Sequence, residues 1–443
     1  MPAFTLIESE SAPRFEGFGA QYNHNVYAER SRDVGVTPQN VKVMEQRMAE
    51  LAPHLVRVFF NAEALADADQ MQSFRKTVDL AQRTAGAINV TLQGLGPNVL
   101  QAHPRVLPLL AEELAGLITQ RGISKLKWVT LRNEPNNPSA PMNKPLYAKC
   151  YRDFDSELRR LEIRSQIGLM GGDLLLPNQK AWFTFIAGQM ADLLDAYSIH
   201  VYWDFSAPKK IGTRLTGVDA IRKSLPRAVR EKPFYVMECG ARGMKTHNGI
   251  TEDPGFWTDG ARIATTKVNA FQRAWFVPEA VKQGFCGVVA WDAYFAKYDL
   301  DSVMHYAMVG GPLDQGAAWP KRPAFRALRL LMRAVDPGWR ILKVDGGSAT
   351  QRVVGFRSDG NPRHRTIVGL DTAGRQMNEP TERKSTYTIG GLPKNARFQL
   401  CFWNLNGDGL NTFDHEEHSD AGGNVTVSAP QHSIFVLTTR NIS

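Results

Sequence analysis

Eight strand-like runs alternate with stretches of helical periodicity between residues 15 and 335, and this alternation limits the possible folds more than any other feature. The runs are FEGFGAQY (15–22), LVRVFFN (55–61), INVTLQG (88–94), KWVTLRN (127–133), SQIGLMG (165–171), AYSIHVYW (196–203), FYVMECG (234–240) and CGVVAWD (286–292). Segments 39–52, 105–120, 144–163 and 322–335 carry apolar residues at helical spacing. Parallel neighbours need a long crossover, so one helix per strand predicts a parallel sheet. Eight repeats over this length fit a closed (β/α)8 barrel, a TIM barrel, with some long loops. The competing open doubly wound sheet lacks a GxGxxG turn after its first strand.

The texture changes after Pro337. RVVGF, TIVGLD, FQLCFW, NVTVSA and SIFVLTT alternate in polarity and are separated by DGG, DGN, GGLP, NGDG and AGG. Short alternating runs with tight turns predict an antiparallel β-sandwich. At 443 residues the chain exceeds what one core serves, so roughly two domains are expected. We place them at 15–337 and 338–443, with the strand-like FTLIES of the first 14 residues added to the sandwich.

Composition is that of a globular chain, 43% apolar and 22% charged. The formal charge of +9 raises nucleic acid as a partner. Lys and Arg are scattered, however, and their densest group (Arg352, Arg357 and RHR at 363–365) falls among strands and turns, so a solvated basic surface is the reading. Cys150, Cys239, Cys286 and Cys401 show no CxxC and are expected reduced and buried. MPAFTLIESE lacks a basic region followed by an apolar core, and no run reaches the ~20 apolar residues of a membrane span, so a cytoplasmic protein is expected, or a secreted one if a leader has been removed. DHEEHSD (414–420) lacks metal-ligand spacing and NGDG (406–409) reads as a hairpin turn; no metal and no cofactor are expected.

In a barrel of this kind function sits at the carboxyl ends of the strands. The polar residues there are Gln21 and Asn23, Arg57 and Asn61, Gln93, Asn133 and Glu134, Asp173, His200 and Tyr202, Glu238, and Trp291 and Asp292. Glu134 precedes Pro135, which puts it at the last position of strand four or the first of the following loop. Glu238 closes strand seven, across the barrel. Two carboxylates reaching one substrate atom from opposite sides suggest glycoside hydrolysis. Cys239 is expected to pack behind its strand.

Asn-Glu-Pro at 133–135 after a strand, with a second glutamate in VMECG, resembles the signature of the clan A glycoside hydrolases. Arg57 in VRVFF, HVY at 200–202 and Trp291 in VVAWD resemble further clan positions. The FEGFGA opening and the trailing sandwich are similar in layout to families thirty and thirty-nine, while the His-x-Tyr looks more like family five.

The resemblance implies a retaining β-glycosidase. Glu134 would be the general acid, its pKa raised by desolvation in a barrel mouth away from cations. Glu238 would be the nucleophile, kept ionised by Arg57 and the Tyr202 hydroxyl. Asn133 would donate to the sugar's 2-hydroxyl, His200 would orient Glu134 or a sugar hydroxyl, and Trp291 would stack on the ring. The substrate expected is a small soluble glycoside or oligosaccharide. Trp203, Phe205, Phe256, Trp257, Tyr294 and Phe295 follow strand ends and shape aglycone subsites or anchor loops. The alternatives are an endo-acting glycanase or transglycosylase with the same glutamates, and an inactive carbohydrate-binding protein.

Overall fold

Each strand run in the first part of the chain pairs with its sequence neighbours, and the eighth returns to the first. The structure is a computed structural model; it describes residues 3–9, 13–138, 140–175, 179–205, 210–242, 245–247, 250–252, 260–298, 306–311, 319–373, 383–404 and 412–442. The barrel strands are β1 (Gly17–Tyr22), β2 (Leu55–Asn61), β3 (Ala87–Gln93), β4 (Leu126–Thr130), β5 (Gly168–Leu174), β6 (Ala196–Asp204), β7 (Phe234–Arg242) and β8 (Gly287–Ala290). All neighbours are parallel, and Gly287–Ala290 pairs with Gly17–Ala20 to close the ring.

Side-chain alternation sorts the interior. On β2, Val56, Val58 and Phe60 join the outer core between barrel and helices, each burial contributing roughly 1.5–3 kcal/mol. Leu55 faces inward and packs with Trp128, Met170, Ala196, Met237 and Val289 in an apolar layer near the amino ends of the strands. Phe59 joins Tyr202, Trp291 and Tyr298 in an aromatic cluster near the carboxyl ends. Between these layers lies a buried polar one, containing Gln21, Arg57, Asn89, Thr91, Thr130, Asp173 and Ser198.

The helices follow the expected bounds within one or two residues at most ends. Helix Pro38–Leu51 starts on a capping box: the Thr37 hydroxyl accepts from the Asn40 N–H while Asn40 Oδ1 accepts from the Thr37 N–H. Helix Lys267–Lys282 is buried along most of its length because it lies between the barrel and the second domain, where its Glu279 pairs with Arg352.

The second domain comprises β9 (Arg340–Gly346), β10 (Gln351–Arg357), β11 (Arg365–Asp371), β12 (Lys384–Gly390), β13 (Arg397–Asn404), β14 (Thr412–His418), β15 (Val425–Pro430) and β16 (Ser433–Thr438). The strand Ala3–Ile7 sits between β9 and β12. Strand β9 serves two sheets: Arg340–Leu342 pair with β10, and Lys343–Gly346 with the N-terminal strand. Phe4, Leu6, Ile367, Tyr387, Phe435 and Leu437 form the core of this domain. One pairing departs from the antiparallel expectation, since Ala3–Thr5 runs parallel to Thr388–Gly390. No hairpin joins these two segments, so no tight turn dictates their relative direction.

Three arginines of this domain's basic group pair with acids of the same chain. Arg357 Nη1 lies 2.6 Å from Glu8, Arg365 also pairs with Glu8, and Arg352 with Glu279. All four cysteines are free and buried. Among the described residues, no helix is long and apolar enough to cross a membrane.

Candidate active site

Arg57 has no exposed surface, and burying a charge is costly unless partners meet it. Its Nη1 donates to Glu238 Oε2 at 2.7 Å, and its Nη2 to Asp173 Oδ2 and Asn133 Oδ1, each at 2.7 Å. Nε donates to Thr91 Oγ1 at 3.1 Å. Burial alone would pull the guanidinium below its ordinary pKa; Asp173 and Glu238 outweigh it and push the value above that level. Asp173 is likewise raised by burial, but Arg57 and then His200 hold it well below the usual carboxylate range. By accepting from Arg57, Asn133 Oδ1 fixes the amide's orientation and turns its N–H2 away from the guanidinium.

Two irregularities in the sheet bring the acids into this layer. Along β5, Gly171 faces Tyr197 and Leu174 faces Ile199, so β5 carries one extra residue there. Gly172 and Asp173 occupy the bulge with φ of +128° and +52°. A Cβ on Gly172 would meet Ser198 O at 2.1 Å, so the close approach and the left-handed backbone both require glycine. Along β7, Ile199 faces Val236 but His200 faces Glu238, again one residue extra. Met237 packs in the inner layer, and strict alternation would therefore aim Glu238 outward. The bulge re-aims it. Cys239 then faces the outer core, as expected from sequence, and burial pushes its thiol up to about 12.

Strand β4 ends at Thr130, earlier than the sequence suggested, and Glu134 lies in the following loop with φ +50°. A left-handed residue other than glycine costs roughly 1–3 kcal/mol and persists only when its surroundings determine it. Here Asn137 N–H donates to Glu134 O at 3.0 Å, and Met142 N–H to Pro135 O at 2.8 Å. The Asn136 side chain ties the same loop to the backbone of Leu175 in both directions, each bond 2.8 Å. The Glu134 carboxylate accepts from Asn137 Nδ2 at 3.0 Å.

His200 joins the two glutamates. Its Nδ1 lies 3.1 Å from Glu134 Oε1 and 3.7 Å from Glu238 Oε2, with Nε2 3.6 Å from Asp173. Burial would strip the ring of its second proton, but Glu238 and then Asp173 raise its pKa to about 9. Glu134 is therefore not remote from cations, contrary to expectation: strand six delivers an imidazolium beside it. Tyr202 OH donates to Glu238 Oε1. Glu134, His200 and Glu238 each contribute an atom to a group whose members all lie within 4.8 Å of one another. That set has the composition of a metal site, with the imidazole lying between the two carboxylates.

Trp291 is buried and stacks on Tyr298, centroids 4.8 Å apart, with Phe59 tilted against it at 5.9 Å. Among the described residues its indole N–H has no acceptor. Arg57, Asn133, Glu134, His200, Tyr202 and Glu238 thus converge on one place, with Trp291 in the aromatic cluster beside them. Among the other aromatics, Trp203, Tyr294 and Phe295 are buried in the outer core rather than in the aromatic cluster. Trp203 stacks on Phe276, because a residue at the end of a strand can still face the surrounding helices. Phe205 is only partly buried and packs against the aromatic cluster. Phe256 and Trp257, like NGDG, lie outside the described residues.

Sequence reasoning gave Asp173 a place at a strand end but no task; the paired glycines before it in GGDL were the available signal. Arg132 and Asn137 were missed altogether. With Asn61, Gln93 and Asn98 they line a cleft of about 670 Å³ that has Asn133 and Glu134 in its wall.

No family model matches this chain, and no curated protein matches it. Solved structures do. The catalytic domain of GH30 xylanase C from Talaromyces cellulolyticus superposes with a TM-score of 0.67 at 12% identity, covering 98% of this chain and 99% of that one. An alpha-L-arabinofuranosidase from Thermotoga maritima gives 0.65 at 10% identity, with 99% of each chain covered. The GH39 enzyme from Xanthomonas axonopodis pv. citri gives 0.59 at 12%, covering 98% of this chain and 96% of that one. At these identities the likeness establishes a shared architecture, a barrel followed by a β-sheet domain.

Proposed function

We propose that this chain is a retaining β-glycoside hydrolase acting on a small soluble glycoside or oligosaccharide. The observation that carries the proposal is the spacing of the two glutamates: an oxygen of Glu134 and one of Glu238 approach within 4.8 Å. Inverting enzymes keep their carboxyls roughly 6.5–9.5 Å apart to admit a water, whereas retaining ones hold them at ~5–5.5 Å. The likeness to a xylanase and an arabinofuranosidase supports the coarser reading of a glycosidase.

In the first step a Glu238 oxygen bonds to the anomeric carbon as the bond to the leaving oxygen breaks, and Glu134 gives that oxygen its proton. In the second, Glu134 takes a proton from water, whose oxygen attacks the anomeric carbon and frees the Glu238 carboxylate. Arg57 and Tyr202 each donate to one oxygen of Glu238 and so aim the carboxylate. Glu134 is the most open of the three carboxylates, its side chain 15% exposed against 8% for Glu238 and none for Asp173, which suits a group that exchanges protons with solvent.

The test is a panel of aryl β-glycosides (glucoside, galactoside, mannoside, xyloside and a disaccharide glycoside), followed by mass spectrometry after trapping with the matching fluorosugar. The expected result is turnover of at least one member and a sugar adduct on Glu238. No turnover across the panel with oligosaccharides included, or an adduct elsewhere, overturns the reading.

A further inference from the structure

The cleft beside Glu134 carries a cation that the reaction described above does not use. Arg132 is the residue before the Asn-Glu pair, beyond the end of β4, and lines the cleft wall. Its Nη2 donates to Ala140 O at 3.1 Å, which pins the guanidinium along the loop that holds Glu134. Its buried Nε–H has no acceptor among the described residues. Among the described residues no carboxylate lies within ion-pair distance of it, although most arginines of this chain have such a partner. Partial burial pulls its pKa below the ordinary value, with Glu134 opposing. A partly buried cation with no carboxylate beside it is an unfavourable arrangement for the protein alone. It becomes favourable when an anion enters the cleft.

The rest of the lining is suited to sugar. Asn61, Gln93, Asn98 and Asn137 present side-chain amides, which both donate to and accept from hydroxyls. About 670 Å³ accommodates more than one pyranose ring. Gly94, with φ +79°, and Gly96, with open space at its Cβ position, keep one side of the cleft unobstructed.

We infer that this cleft is a subsite for an acidic sugar, with Arg132 receiving the carboxylate of a uronic acid unit while the amides hold its hydroxyls. The inference rests on the glycosidase reading and narrows its substrate class to oligosaccharides that carry a uronic acid next to the cleaved bond. A carboxylate matches the planar fork of a guanidinium more closely than a hydroxymethyl group does.

The test compares uronic acid-containing oligosaccharides of two to four units with their carboxyl-reduced forms, which differ only in a hydroxymethyl replacing each carboxylate. Wild-type kcat/KM is expected to favour the acidic member of at least one pair by tenfold or more at low salt. In Arg132→Gln that ratio should fall to threefold or less, and added salt should lower it in the wild type. Equal rates on every pair, or a ratio unchanged in Arg132→Gln, overturn the proposal, as does a stronger preference for sulfated oligosaccharides over the uronic acids. Binding of the same pairs to Glu238→Gln, measured by calorimetry, separates the two readings. Selective binding of the acidic member without turnover by the wild type sustains the subsite and removes the hydrolase, whereas turnover without selectivity does the reverse.

Discussion

Arg57 Nη1 and Glu238 Oε2 meet at 2.7 Å in the barrel interior, joining the second strand to the seventh. The same guanidinium holds Asp173 and Asn133, so one side chain fixes residues from three other strand ends. Arg57→Met should therefore act twice. Leaving two buried carboxylates without the guanidinium is expected to destabilise the fold by about 3–5 kcal/mol, measured by urea unfolding. Activity should fall by roughly 10²–10³ in kcat under conditions where the variant remains folded. Arg57→Lys should recover part of the stability and little of the activity, since an ammonium lacks the fork that reaches three acceptors.

The two glutamates should fail differently. Glu238→Gln is expected to abolish turnover of every substrate. Glu134→Ala should lose roughly 10²–10⁴ on glycosides with poor leaving groups and far less on dinitrophenyl glycosides, with azide restoring rate and yielding a glycosyl azide. Equal loss in both variants without azide rescue would contradict the division of roles.

His200 makes stability depend on pH. Its folded pKa of about 9 lies above the ordinary 6.5, so its contribution is complete below pH 6.5 and is lost as pH rises to about 9. The difference in unfolding free energy between wild type and His200→Asn should shrink across that window. Asp173 acts oppositely: its depressed pKa contributes stability above the ordinary carboxylate range, and this is lost as pH falls below it. A difference between wild type and His200→Asn that does not change between pH 6.5 and 9 would argue against an imidazolium.

Gly172→Ala should disrupt the site without touching a charged group. A methyl 2.1 Å from Ser198 O forces β5 and β6 apart at the bulge that aims Asp173 inward. We expect a loss of about 1–3 kcal/mol in stability and a fall in kcat from displacement of Arg57. Gly188→Ala, with open space around its Cβ position on helix Gln179–Gln189, should cost neither.

Much of the barrel was legible because each strand and helix advertises its period locally. Leu55–Asn61 matched its predicted bounds, and helix Lys144–Arg160 began where its sequence pattern began. Arg57 stood out as a charge inside an apolar run, and Glu134 as an acid before a proline. The reach of the buried core was less legible. Trp203 and Tyr294 sit near the carboxyl ends like the site residues but face the helices, and a single sequence does not reveal which face a strand-end residue presents.

What the sequence determined by itself was therefore the order of elements, the closed parallel sheet and the set of polar residues at its carboxyl ends, because hydrophobic periodicity and turn chemistry act over a few residues at a time. What only the tertiary structure decided was which of those residues meet. The extra residues in β5 and β7 turn Asp173 and Glu238 inward, the loop after β4 holds Glu134 in a left-handed backbone, and His200 arrives beside it as a cation. A bulge reverses the facing of a side chain through pairing with a neighbouring strand, and a pKa depends on charges brought in from distant segments. Neither is a local property of the chain.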